Sequence, residues 1–197
     1  MPIFDTPHPI DLAINLPVGA IEVIASDRSD TVVTVAPTNP TKAVDRRGAE
    51  ETRVEFTGHR LTITGPKPRF SVIGPTESVD ITIELPTASR LTAELAVGGV
   101  RARGRLGATR VKSSTGWVEL GDTGDLWLRA GHGNATVVAT DGTMEIITDH
   151  GRFASDRSPA MRNSRRRTEA SRSARPAVTS KQSCRTATST SPGPSHR

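Results

Sequence analysis

Residues 108–124 read ATRVKSSTGWVELGDTG, residues 125–142 read DLWLRAGHGNATVVATDG and residues 143–151 read TMEIITDHG. Glycine sets the beat. Gly107 to Gly116, Gly124 to Gly133 and Gly142 to Gly151 are steps of nine. The complementary steps Gly99–Gly107, Gly116–Gly124 and Gly133–Gly142 are eight, eight and nine. Each unit, Gly107 to Gly124 and then Gly124 to Gly142, is two short strands and two turns. A unit so short cannot enclose a core alone and must stack on its neighbours, which is the signature of a β-solenoid.

Alternation assigns the faces, because side chains along a strand point to opposite sides with a period of two. Val111, Leu126, Leu128, Met144 and Ile146 should point inward, with Val118, Leu120, Ala135 and Val137 inward on the other strand. Arg110, Trp127 and Glu145 should form one outward column, and Lys112, Arg129 and Ile147 another. Residues 90–99 keep the glycine spacing, but their alternation is offset by one, which predicts a transition through a bulge.

Upstream, residues 11–16, 20–25, 31–35, 53–57, 60–64 and 78–85 alternate apolar and polar and read as half-buried strands. Pro17-Val18-Gly19, residues 26–30, Thr57-Gly58-His59 and residues 65–68 carry turn chemistry between them. The polar stretch from Thr38 to Glu51 reads as a long loop or a short helical turn. The expected class is all-β. A β-rich N-terminal section (1–89) caps a short-repeat β-solenoid (90–152), and a disordered basic tail follows (153–197).

That tail changes the grammar. Residues 153–197 contain no Leu, no Ile and one Val, Val178. The net charge of +5 is split: residues 1–152 hold 16 Lys+Arg against 19 Asp+Glu, and residues 153–197 hold 10 against 2. Only the tail is basic, so the body makes no electrostatic case for nucleic acid. Synonymous codons for RFASDRSPAMRNSRRRTEA (152–170) permit an out-of-frame reading VRIGPVTGDAKLKTSNGG, which restores alternation and a coil-like turn. The tail is therefore expected to be out of frame, from a frameshift near Gly151, and the run Arg165-Arg166-Arg167 carries no function.

With strands, repeats and opening in hand, the chain resembles a bacterial "putative adhesin" family of unknown function, built from DUF-type β-solenoid repeats. The resemblance rests on Met1-Pro2-Ile3-Phe4-Asp5-Thr6-Pro7, Glu84-Leu85-Pro86 and Gly104-Arg105-Leu106-Gly107, and covers about residues 1–151. It implies adhesion without a defined activity, so it transfers no functional residues.

No catalytic, cofactor-binding or metal residues are assigned. The single cysteine, Cys184, excludes a disulfide scaffold. His132 and His150 occupy equivalent turn positions one coil apart, at roughly 5 Å if the coils stack. With Asp149 the only third candidate, they fall short of a zinc site. Gly121-Asp122-Thr123-Gly124-Asp125 resembles a calcium turn but does not recur, so its aspartates should satisfy turn backbone. Trp117 and Trp127 read as packed on the wall. Arg101, Arg103 and Arg105 read as a solvated face, and Glu119 and Glu145 lie on different strands. No nucleophile elbow, P-loop or dinucleotide fingerprint occurs.

The expectation is a non-enzymatic scaffold without cofactors, bound to an unknown protein partner or to itself through open solenoid ends. The alternatives are a carbohydrate-binding or carbohydrate-active solenoid, or a truncated product without function. The start at Met1 has no signal-peptide pattern and no apolar run approaches a membrane span, so the expected location is cytoplasmic.

Overall fold

The computed structural model describes residues 1–66 and 77–157 of the chain. In chain order the elements are β1 (Ile3–Asp5), β2 (Asp11–Ser26), β3 (Asp30–Pro37), α1 (Ala43–Glu51), β4 (Arg53–Thr57), β5 (Arg60–Thr64), β6 (Val79–Pro86), β7 (Arg90–Arg105), β8 (Thr109–Thr123), β9 (Leu126–Thr140) and β10 (Met144–Arg157). The architecture is mostly β. Ten strands form one mixed sheet in the order β1-β3-β6-β2-β7-β8-β9-β10, with β5 also on β2 and β4 on β5.

From β7 to β10 the pairing is parallel and sequential, and the register holds apart from one shift between Ala102 and Arg105. Leu91 pairs with Thr109, Thr109 with Leu126, and Leu126 with Met144. A straight strand of this length would run about 50 Å. Yet only residues 106–108 connect β7 to β8, and residues 124–125 connect β8 to β9. Such short links can bring the chain back for a parallel partner only if each strand bends.

The bend sits at glycine. In β8 the side chains buried around the bend are Val111 and Ser113 before Gly116, then Val118 and Leu120 after it. The inward set thus switches from odd to even numbers, and both arms of the bent strand face one core. β9 switches in the same way around Gly133, with Leu126, Leu128 and Ala130 before it and Ala135 and Val137 after it. Gly98, Gly116 and Gly133 hold φ of 138°, 143° and 131°, a region that L side chains rarely adopt.

The corner glycine of β7 is Gly98, which pairs with Gly116, and not Gly99 as the even spacing suggested. With Gly98 at the corner, Leu91, Ala93 and Leu95 all point inward and the expected offset over residues 90–99 disappears. The irregularity lies later, between Ala102 and Arg105.

Strand pairing crosses the expected division at residues 89/90. β2 is a single strand that runs through Pro17-Val18-Gly19, bends at Gly19 (φ 141°) and pairs with β7 from Asp11↔Arg90 to Ile24↔Arg103. It is therefore a rung of the same ladder. On its other side β5 pairs with the first arm and β6 with the second, both parallel, so two separate strands together make one more rung. β4 then closes β5, and β3 closes β6, both antiparallel. These antiparallel strands lie within residues 1–89, the section expected to cap the coils.

Strand pairing also crosses the expected boundary at 152. β10 continues through Gly151, with Phe153 paired to Ala135 and Arg157 to Ala139. Phe153 is half-buried against the core, so residues 152–157 belong to the ladder. The remaining tail, with Cys184 and the arginine run, lies outside the described residues, as does the reading-frame expectation for it.

The polar stretch after β3 forms α1. Its buried Asp45 accepts backbone N–H bonds from Asn39 (3.2 Å) and Ser78 (3.1 Å), which ties the helix to the start of β6. Among the described residues no helix is long and apolar enough to cross a membrane.

Candidate functional site

Because the register holds through the corner, each outward position there becomes a column across the strands. Val18, Val97, Thr115, His132 and His150 pair in succession immediately before the corner. Immediately after it come Ala20, Gly99 and Trp117. The wall beside the corner exposes two large apolar side chains: Val97 is 49 % exposed and Trp117 39 %.

Trp117 lies over Gly99, where a Cβ would collide with the indole ring. The guanidinium of Arg101 stands 5.0 Å from the ring centroid of Trp117, and its Nε donates to Glu119 Oε2 at 2.7 Å. That hydrogen bond, with the charge of Glu119, stabilises the Arg101 cation further. On the first arm Arg110 covers Trp127 at 4.2 Å, and Glu145 completes the column that alternation assigned. Both indoles thus pack against arginine, but on opposite arms. They form no shared aromatic platform.

The alternating arginines of β7 are each engaged. Besides Arg101, Arg103 meets Glu22 at 3.4 Å and Arg105 donates to Asp141 at 2.7 Å. The row is neutralised within the wall, which removes the phosphate-tracking edge its spacing resembled.

His132 and His150 stack with ring centroids 5.0 Å apart and planes at 17°, in the register the repeat implied. Both are exposed, as is Asp149. Among the described residues no group of three or more His, Cys, Asp or Glu is placed to hold a metal ion. Two donors do not complete a zinc sphere.

Asp125 is committed to the turn before β10. Its Oδ1 accepts from the Thr143 backbone N–H at 2.8 Å and from the Thr143 hydroxyl at 2.7 Å. These bonds hold its carboxyl below the ordinary value of 3.8. Glu119 and Glu145 sit in different columns on different arms, so they do not form a carboxylate pair. A groove of about 250 Å³ runs along the first arm past Pro17, Glu94, Lys112 and Ser114. It is shallow and gathers no convergent polar set of the kind that orients a small ligand.

No family model matches the chain, and no curated protein matches it. The family implied by the opening motifs therefore has no model match behind it. Among solved structures, a "putative cell adhesion protein" from Clostridium sporogenes is similar at 13 % identity and a TM-score of 0.49, over 78 % of this chain and 96 % of that one.

The sequence reading missed the interplay of Gly99 with Trp117. The signal was present: the pair Gly98-Gly99 stands one repeat before Gly116-Trp117. The first glycine makes the corner and the second makes room.

Proposed function

We propose that this chain is a non-enzymatic, adhesin-like β-solenoid that serves as a structural or protein-interaction scaffold. Parallel strands, each offset from the last by one repeat and bent at stacked glycines, support the solenoid reading. One observation carries the functional reading. Several polar side chains of the wall pair with one another across neighbouring strands, as in Arg101–Glu119 and Arg103–Glu22, Asp125 ties one turn to the next through Thr143, and none of these converges on a cleft. Such a wall is stiff and offers ladders of side chains at a fixed spacing, which suits a protein partner, another copy of the chain included.

The carbohydrate alternative needs aromatics or carboxylates gathered on one face, and the opposed positions of Trp117 and Trp127 weigh against it. The deciding experiment is affinity electrophoresis of the full chain through neutral and acidic polysaccharides, with assay of reducing-end release. The scaffold reading expects neither retardation nor release. Retardation abolished by Trp117→Ala, or release of reducing ends, would overturn it in favour of carbohydrate.

A further inference from the structure

The two ends of the ladder are finished differently. At one end the split rung is covered: β4 lies antiparallel on β5, β3 on β6, and β1 on β3. At the other, β10 is last in the sheet order, and among the described residues nothing pairs with its outer edge. That edge is 14 residues long and contains no Lys and no Pro, two of the usual guards of an exposed strand. Its inward residues Met144, Ile146 and Phe153 are only half-buried, whereas Leu126, Leu128 and Ala135 one strand earlier are 1–2 % exposed or less.

The edge is also self-complementary. Its first arm carries Glu145 and Asp149, and Arg152 follows the corner on its second. Antiparallel pairing of two such edges sets acid toward base twice. Core-facing residues are even-numbered in the first arm and odd-numbered in the second. Keeping core against core therefore pairs an even residue with an odd one. Setting Ile146 opposite Phe153 of a second copy meets this condition and places Asp149 diagonal to the second copy's Arg152, within reach across a strand pair.

We propose that the chain forms a closed two-fold dimer by antiparallel pairing of β10 with β10 of a second copy. It rests on the scaffold reading, whose open-ended form it narrows. Each copy offers the same β10 edge, so the contact is isologous and closes at two copies instead of propagating as a filament.

The test is analytical ultracentrifugation of the full chain over a concentration series, with hydrogen exchange on the same samples. A dimer without larger species is expected. Asp149→Arg alone and Arg152→Glu alone should each be monomeric, since each sets like charges across the axis. Mixing the two variants should restore a dimer, because the mixed pair opposes Arg to Glu and Arg to Asp. Both positions are exposed, so the fold is retained. Growth into larger assemblies overturns the two-fold closure. A monomer with β10 amides protected from exchange assigns the edge to residues 158–197 and overturns the proposal. A monomer with bare β10 overturns it too, yet leaves the scaffold reading standing if protection still recurs once per repeat, as from Val111 to Leu128. Loss of that recurrence overturns the solenoid reading itself.

Discussion

The indole of Trp117 occupies the volume that a side chain on Gly99, its direct partner across the β7–β8 pair, would need. The two residues act as one element, a flat ring laid on bare backbone and covered by Arg101. Gly99→Val should expel the ring. The expected result is a red shift in Trp117 emission, read in a Trp127→Phe background, and a loss of about 1–3 kcal/mol in denaturant unfolding. Unchanged emission would mean that the ring is not seated there.

The corner glycines differ from an ordinary turn glycine. At Gly116 a Cβ would overlap the carbonyl oxygen of Gly98, and φ is 143°. At Gly58 φ is 63°, and a Cβ would meet nothing within 4 Å. Gly58→Ala should therefore cost about 1 kcal/mol, the conformational term alone. Gly116→Ala should cost more than about 3 kcal/mol, since strain and backbone overlap add. Paired urea titrations check the order; equal losses would refute a stacked corner.

Acid should loosen the β9–β10 turn. The Asp125 carboxyl is held below its ordinary 3.8 by Thr143. A carboxyl depressed in the folded state favours folding above its unfolded value and loses that contribution as pH falls through the folded one. Wild type should lose stability relative to Asp125→Asn between pH 5 and acid below 3.8, most visibly as faster exchange at Thr143. Parallel curves for the two proteins would remove Asp125 from the acid response.

Core truncation should become cheaper toward the bare end. Leu128 is fully buried between β8 and β10, so Leu128→Ala should cost about 2–5 kcal/mol. Met144, half-buried on the last strand, should cost about 1 kcal/mol on the same change in a monomeric background such as Arg152→Glu. Thermal or urea unfolding of the two variants gives the comparison.

Much of the ladder was legible because period-two alternation and a fixed repeat both constrain register. Val111, Val118, Leu120, Leu126, Leu128, Ala135 and Val137 are all buried as alternation assigned them. The columns Arg110–Trp127–Glu145 and Lys112–Arg129–Ile147 pair as expected, and so do the two histidines. What alternation could not show is partner order. β5 and β6 each look like ordinary hairpin strands, and nothing local says that together they flank β2. The corner was misread at Gly99 because spacing treats adjacent glycines alike, whereas φ and the bulk of Trp117 do not. Past residue 152 alternation gave no signal because Phe153-Ala154-Ser155 lacks branched apolar residues, yet its backbone pairs with Ala135-Thr136-Val137.

The split rung has a consequence for how the chain is made. β2 leaves the ribosome well before either of its neighbours. One edge waits for β5 and β6, which end at Pro86, and the other for β7, which begins at Arg90. Until then β2 is a strand bare on both sides, and its closure between two distant segments should be the entropically costly step. Every strand after β7 lands on a template already in place. The birth of the molecule should therefore be uneven: hesitant over its first half, then a rapid accretion of one strand at a time.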